Sequence, residues 1–137
     1  METIRILLID DHVVVRSGLG QMLGLEEDLK IVGEAANSEE ALKMIDIISP
    51  DIILMDIKMP GMDGVRLTKE IKKKLPSCNI IMFTLHGDYL PQAIEAGATG
   101  YLLKDIKRED LIDAIRKVHE GEIVISDKLD HEYFSDK

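Results

Sequence analysis

Two kinds of hydrophobic pattern alternate along the chain. Short apolar runs bounded by polar or turn residues predict buried strands. Apolar residues spaced three or four apart predict amphipathic helices. The predicted strands cover residues 4–9, 29–35, 52–56, 79–84 and 100–104. The predicted helices cover residues 13–25, 38–48, 64–75, 89–95 and 107–120.

The regular alternation of strand and helix predicts one α/β domain over residues 1–121. Its expected architecture is a doubly wound, flavodoxin-like parallel sheet of five strands in the order 2-1-3-4-5, flanked by five helices. Residues 122–137 change character, from a brief apolar stretch to a polar, charged tail. We expect them to form a linker or C-terminal extension without an output domain.

Composition narrows the class of protein. Hydrophobic residues make up 45% of the 137 residues and aromatic residues only 4%, so aliphatic side chains and methionine must fill the core. A formal net charge of −9 argues against nucleic-acid binding by this segment, because phosphates attract positive charge. A single cysteine, Cys78, fits a reducing compartment. With no signal segment and no membrane-spanning apolar run, we expect a soluble cytoplasmic protein.

Carboxylates follow two of the predicted strands. Asp10 and Asp11 come directly after the first strand, and Asp56 ends the third. With the strand order 2-1-3-4-5, these side chains converge at the edge where ligands bind in such sheets. Three neighbouring carboxylates repel one another unless a cation intervenes, and hard oxygen ligands of this kind suit Mg²⁺. The pattern therefore predicts a magnesium site.

Two further polar residues end the fourth and fifth strands at the same edge. Lys104 supplies a positive charge for a phosphoryl oxygen, and Thr84 supplies a hydroxyl donor. Asp56 is then a carboxylate nucleophile able to form an acyl phosphate. Transfer of this kind rests on positioning and charge neutralisation. The residues together predict a phosphoryl-transfer site.

At this point the sequence resembles the receiver domain of two-component response regulators, over roughly residues 3–121. The resemblance rests on the acidic pair 10–11, the segment 55–64, Thr84 and the segment 97–104. The tripeptide 10–12, Arg16 with the pair 18–19, and the segment 100–105 resemble the NarL/FixJ (LuxR-type) subgroup. Members usually carry a C-terminal helix-turn-helix DNA-binding domain. The resemblance thus implies either a receiver fragment or a stand-alone receiver that acts through protein–protein contacts.

The resemblance implies a role for each acidic residue. Asp56 matches the phosphoacceptor, and Asp11 matches the direct Mg²⁺ ligand, with Asp10 acting through water. The backbone carbonyl of Lys58 would be a third protein ligand. His12, beside the acidic pair, is interpreted as polar surface at the start of a helix and not as a ligand.

The resemblance also implies a signalling cycle. Thr84 and Lys104 match the residues that bind the phosphoryl group, and Tyr101 matches the switch aromatic that turns inward as Thr84 moves. The donor would be a phosphohistidine on a sensor histidine kinase. Phosphorylation would either drive formation of a homodimer or free a DNA-binding domain. The protein would contact DNA only through that absent domain, and no membrane is implied.

Two alternatives and one detail stay open. An aspartyl-phosphate phosphatase would use the same nucleophile, but the haloacid-dehalogenase type carries a second Asp where this chain has Lys58. A phosphate-independent interaction module would not need the full acidic set. We therefore expect a switch that phosphorylates and dephosphorylates itself and not a turnover enzyme. Asp105 stands where many receivers have proline, so the isomer of the 104–105 peptide bond is left open.

Overall fold

The computed structural model describes residues 2–129. Its core is one parallel sheet of six strands in the order β2-β1-β3-β4-β5-β6. The strands are β1 (Ile4–Ile9), β2 (Leu29–Ala35), β3 (Ile52–Met55), β4 (Asn79–Thr84), β5 (Gly100–Leu103) and β6 (Val124–Ile125). The predicted α/β class and the order 2-1-3-4-5 are confirmed, with a sixth strand added at the β5 edge.

Five α-helices connect the strands, as predicted. They are α1 (Val13–Leu23), α2 (Ser38–Ile45), α3 (Gly64–Lys74), α4 (Leu90–Ala96) and α5 (Arg108–His119). A 3₁₀ turn, Gly87–Tyr89, precedes α4 and was not predicted. Helix α2 ends three residues earlier than its apolar pattern indicates, because the amides of Ile47 and Ile48 both turn back to the Met44 carbonyl.

Hydrophobic residues fill two cores, one on each face of the sheet. Strand residues that point to one face pack with α2, α3 and α4, and those that point to the other pack with α1 and α5. All four residues of β3 are buried because both of its faces are covered. The central strands therefore read as continuous apolar runs in the sequence.

The segment after α5 adds to the sheet. Val124 donates to the Thr99 carbonyl, and Ser126 donates to the Tyr101 carbonyl. The Ser126 hydroxyl accepts the amide of Leu103 at 2.9 Å. Leu129 is buried in the same core as Tyr101. The first part of the predicted linker or extension thus packs along β5, whereas residues 130–137 lie outside the described residues.

Within residues 2–129, no helix is both long enough and apolar enough to cross a membrane.

Candidate functional site

Strand register places two acidic residues side by side at the carboxyl edge of the sheet. Ile9 of β1 lies opposite Met55 of β3, so the residues that follow them, Asp10 and Asp56, are neighbours. Each has only 5% of its surface exposed. The buried strands thus deliver both carboxylates to one point, as the sequence pattern predicts.

Lys104 joins the two carboxylates from the end of β5. Its Nζ lies 2.8 Å from Asp10 Oδ2 and 2.9 Å from Asp56 Oδ2. Burial acts to lower the pKa of this lysine, but its hydrogen bonds to Asp10 and Asp56 outweigh burial and raise the pKa above its usual value. Lys104 is therefore a fixed cation between two buried anions.

Asp10 is held from several sides. Its amide donates to the Ala35 carbonyl, and its Oδ1 accepts the His12 amide at 2.9 Å. Burial alone would raise the pKa of the Asp10 carboxyl. The hydrogen bonds from Lys104 and His12 reverse that effect, so its pKa lies below the ordinary value. Asp10 is thus a charged, preorganised carboxylate.

Asp56 is fixed by the chain that follows it. Its amide donates to the Ile9 carbonyl at 3.0 Å, and its Oδ1 accepts the Ile57 amide at 2.7 Å. The start of α3 passes so close that a Cβ on Gly64 would lie 2.4 Å from the Asp56 carbonyl oxygen. Glycine at this position lets α3 pack directly against the main chain of the acidic residue.

A potential cation site surrounds these groups. One ligand atom each from Asp10, Asp11, His12 and Asp56 can be chosen so that all lie within 4.8 Å of one another. Asp11 is exposed to solvent, while Asp10 and Asp56 are buried. Carboxylate oxygens beside solvent fit Mg²⁺, which takes one or two carboxylates and keeps several waters.

His12 belongs to this cluster although the sequence indicated only polar surface. Its side chain is 63% exposed, yet Nδ1 lies 3.0 Å from Asp10 Oδ1 and 3.2 Å from Asp11 Oδ1. The interpretation as surface is correct for exposure but misses these contacts. The only signal in the sequence was its position directly after the acidic pair.

Lys58 lies in the loop after β3. With Asp11, Asp63 and Tyr89, it lines an open cleft of about 420 Å³ beside the acidic cluster. Its Nζ is 5.1 Å from the centre of the Tyr89 ring, which is a cation–π contact. The side chain is thus turned toward Tyr89, and the metal-binding role of the Lys58 carbonyl stays a prediction.

Thr84 and Tyr101 are linked through the main chain of His86. Both residues are fully buried. Thr84 Oγ1 accepts the His86 amide at 3.2 Å, and the Tyr101 hydroxyl donates to the His86 carbonyl. Burial raises the pKa of Tyr101 well above its usual value, so the hydroxyl stays a donor. The structure brings these two together as a second group, which joins the Asp10–Lys104–Asp56 cluster where the Lys104 amide donates to the Thr84 carbonyl at 2.9 Å.

The 104–105 peptide bond, left open by the sequence, is trans, because no cis bond occurs in residues 2–129. Lys104 reaches both carboxylates with this isomer. Asp105 in place of proline is therefore compatible with the geometry of the site.

Comparison with known proteins adds a family context. A family model described as the response regulator receiver domain matches residues 6–116. The nitrate/nitrite response regulator protein NarL of Escherichia coli (strain K12) is 39% identical over 130 residues, which cover 93% of this chain and 60% of that protein. The transcriptional regulatory protein LiaR of Bacillus subtilis (strain 168) is 43% identical over 128 residues, covering 92% and 61%. The chain thus spans about three fifths of these curated relatives.

Solved structures of response regulators have a similar fold. A LuxR-family two-component response regulator from Aurantimonas sp. SI85-9A1 superposes with a TM-score of 0.93 at 32% identity, covering 98% of each chain. The receiver domain of a putative response regulator NarL from Mycobacterium tuberculosis gives a TM-score of 0.82 at 33% identity, covering 89% of this chain and all of that one.

Proposed function

The chain belongs to the response regulator receiver domain family, and we propose that it works as a phosphorylation-dependent switch with Asp56 as the phosphoacceptor. The observation that carries this proposal is the position of Lys104, within 2.9 Å of both Asp56 and Asp10. A cation held against the nucleophile stands ready to neutralise a phosphoryl oxygen as that group arrives.

In the proposed transfer, the donor is a phosphohistidine on a sensor histidine kinase. An oxygen of Asp56 attacks phosphorus, and the P–N bond breaks. The leaving imidazole keeps the electron pair of that bond and takes up a proton. The product is an acyl phosphate on Asp56, which water later hydrolyses to inorganic phosphate and the free carboxylate.

Asp10, Asp11 and Asp56 would hold Mg²⁺, with the Lys58 carbonyl as a further ligand. When bound, the ion neutralises charge on the phosphoryl oxygens. Lys104 would exchange its contact with Asp56 for a phosphoryl oxygen while its charge stays in the site. Asp10 remains oriented during this exchange because His12 also donates to its carboxylate.

We propose that Thr84 and Tyr101 report the state of Asp56. Thr84 would donate its hydroxyl to the phosphoryl group, and this requires its side chain to move toward Asp56. Its Oγ1 accepts the His86 amide, and the His86 carbonyl accepts the Tyr101 hydroxyl. A movement of Thr84 would therefore shift both partners, which is a local change with a remote result.

We further propose that residues 1–121 are the receiver unit and that the following segment leads to a DNA-binding domain in the whole protein. The support is that this chain matches about three fifths of the length of the curated relatives, one of which is named a transcriptional regulatory protein. A homodimer of the phosphorylated form is the expected assembly, and the cytoplasm is the expected compartment. A stand-alone receiver that acts through protein contacts is the alternative.

A turnover phosphatase is disfavoured. Its general acid would stand two residues after Asp56, where this chain has Lys58, whose ammonium faces Tyr89. We therefore propose a switch whose acyl phosphate persists long enough to serve as a signal.

The test is incubation with acetyl phosphate and Mg²⁺, followed by mass spectrometry of the intact protein. We expect a stoichiometric single adduct on the parent and none on Asp56→Asn. Asp51→Asn is the matched control, because Asp51 directly precedes β3 at the end away from Asp56 and its carboxylate accepts the Arg5 amide at 2.9 Å. Adduct on Asp56→Asn would contradict the assignment, many turnovers would favour a phosphatase, and no adduct would favour an interaction module.

A further inference from the structure

The N-terminal half of α1 makes little use of hydrophobic packing. Val13 and Val14 are 62% and 81% exposed, and Leu23, near the other end, is its only fully buried residue. His12, the N-cap residue, forms no side-chain cap. Burial therefore does not explain how the start of α1, and the acidic loop before it, are held in place.

Arg16 connects the start of α1 to the acidic loop and to β2. Its Nη1 donates to the Asp10 carbonyl, and its Nε donates to Glu34 Oε1 at 3.0 Å. The Arg16 side chain is only 13% exposed, and Glu34 lies on the neighbouring strand β2. Because a guanidinium is planar and rigid, these bonds fix the direction of the donor as well as its position.

The Asp10 carbonyl belongs to the peptide group that leads into Asp11. The Asp10 side chain has its own anchors in Lys104 and His12, whereas the recorded partner of the Asp11 carboxylate is the exposed imidazole of His12. Fixing the 10–11 peptide plane therefore constrains where the Asp11 side chain begins. Arg16 is the side chain that does so.

We propose that Arg16 is a positioning residue for the cation site, and that it orients the 10–11 peptide so that the Asp11 carboxylate meets the ion. Glu34 fixes the orientation of the Arg16 guanidinium by accepting its Nε at 3.0 Å. The inference rests on the proposed function to the extent that the ion is Mg²⁺. It adds a residue outside the acidic set to the determinants of metal affinity.

The alternative is that Arg16 and Glu34 form a partly exposed ion pair that contributes only modestly to stability and does not affect the cation site. Arg116 offers a matched control for it. Arg116 pairs with two carboxylates, Asp28 at 2.8 Å and Glu26 at 2.9 Å, and links α5 to the loop before β2. Its substitution removes a similar ion pair outside the acidic site.

The experiment measures the Mg²⁺ dissociation constant by calorimetry, without phosphodonor, alongside Tm. We expect Arg16→Met to weaken Mg²⁺ binding by about 10-fold, the lower end for residues that orient metal ligands. Arg16→Lys keeps the positive charge but loses the planar two-donor geometry of the guanidinium. Its Mg²⁺ affinity should therefore lie between those of the parent and Arg16→Met. Arg116→Met should lower Tm and leave Mg²⁺ affinity within about 2-fold of the parent.

Two further readouts separate positioning from general damage. At saturating Mg²⁺, the rate of Asp56 phosphorylation in Arg16→Met should return close to that of the parent, because only the affinity has changed. In an Asp11→Asn background, Arg16→Met should cause little additional loss, because it acts through Asp11.

The proposal is overturned if Arg16→Met binds Mg²⁺ as the parent does, or if Arg116→Met weakens binding equally. If Arg16→Met does not fold, Arg16→Lys decides by the same criterion. A parent protein that binds no Mg²⁺ and gains no phosphoryl adduct would instead refute the proposed function.

Discussion

At the scale of single residues, the site depends on one cation shared by two buried anions. Lys104 is 11% exposed, and Asp10 and Asp56 are 7% and 6% exposed at their side chains. Removing one partner from a buried ion cluster leaves charge without compensation, which costs more than an exposed pair contributes. The lysine is therefore a structural requirement of the site, in addition to the phosphoryl-binding role proposed for it.

We predict that Lys104→Met lowers the free energy of unfolding by roughly 3–5 kcal/mol in the absence of Mg²⁺. Adding Mg²⁺ should recover part of the loss, because the ion takes over neutralisation of the carboxylates. Urea unfolding with and without Mg²⁺ measures both effects. Lys117→Met, which breaks only an exposed pair with Asp113, is the control and should change stability by less than about 0.5 kcal/mol. Equal losses for both variants would contradict the prediction.

Gly64 illustrates a second requirement at this scale, the close approach of α3 to the acidic residue. A methyl group there would meet the Asp56 carbonyl oxygen at 2.4 Å and the Ile57 Cα at 2.8 Å. Alanine is the better helix former, but such overlap forces the main chain of the site to move. Sterics should outweigh helix propensity at this position.

Gly64→Ala is expected to destabilise the protein by about 1–3 kcal/mol and to slow phosphorylation of Asp56. Gly18→Ala on α1 is the opposite case, because its added Cβ would meet nothing within 4 Å. The free energy of unfolding of that variant should rise by about 0.5–1 kcal/mol, because alanine has a higher helix propensity than glycine. Thermal unfolding of both proteins is the measurement, and a Gly64→Ala protein as stable as the parent would refute the argument.

At the scale of elements, β6 and the residues after it form an attachment along β5. The attachment consists of strand pairing, the Ser126 hydroxyl on the Leu103 amide and the burial of Leu129, whose side chain abuts Gly87. A two-residue strand has few hydrogen bonds of its own, so the buried leucine must contribute much of what holds it.

For this element we predict that Leu129→Ala lowers the free energy of unfolding by about 2 kcal/mol. This is the low end of the range for a buried leucine, because Leu129 lies at the end of the described residues. Local opening should also speed hydrogen exchange at the amides of Leu103 and Ser126. Leu25→Ala, at a position 75% exposed, is the control and should leave both quantities unchanged. Unaltered exchange in Leu129→Ala would show that the leucine does not hold β6.

Elements differ in how well the sequence predicts them. Strands β1, β3 and β4 follow from continuous apolar runs, and their ends place Asp10, Asp56 and Thr84 before any coordinates are known. Strand β6 was not predicted because Val124–Ile125 is too short to show a period. The contacts of His12 with the acidic pair and of Arg16 with Glu34 were not predicted, because they depend on side-chain directions that no local pattern encodes.

At the scale of the whole molecule, the two ends of the sheet are held by different electrostatics. The carboxyl edge carries the acidic cluster, and the opposite end carries Arg116 with Asp28 and Glu26. The hydrogen bond from Arg116 lowers the pKa of Asp28 below its ordinary 3.8, against a smaller opposing effect of burial. Global stability should therefore depend on pH through this bridge, independently of Mg²⁺.

The sign follows from the depressed pKa. The charged Asp28 stabilises the fold above the pKa of the unfolded state, and this stabilisation disappears as the pH falls through the lower pKa of the folded state. We expect the stability difference between the parent and Arg116→Met to be constant between about pH 5 and 7 and to shrink below 3.8. Urea unfolding across this range measures it, and a difference that grows in acid would contradict the assignment.

The packing of Leu129 against Gly87 affects how a domain that follows β6 would be connected to the rest of the protein. Strand spacing is only about 4.8 Å, so the exit of the domain lies one strand away from Tyr101. A domain joined after residue 129, as proposed above, would be connected to Tyr101 through β6 without needing a docking surface of its own. Strand β6 would then connect Tyr101 to an output domain. Replacing one output domain with another would leave that connection in place.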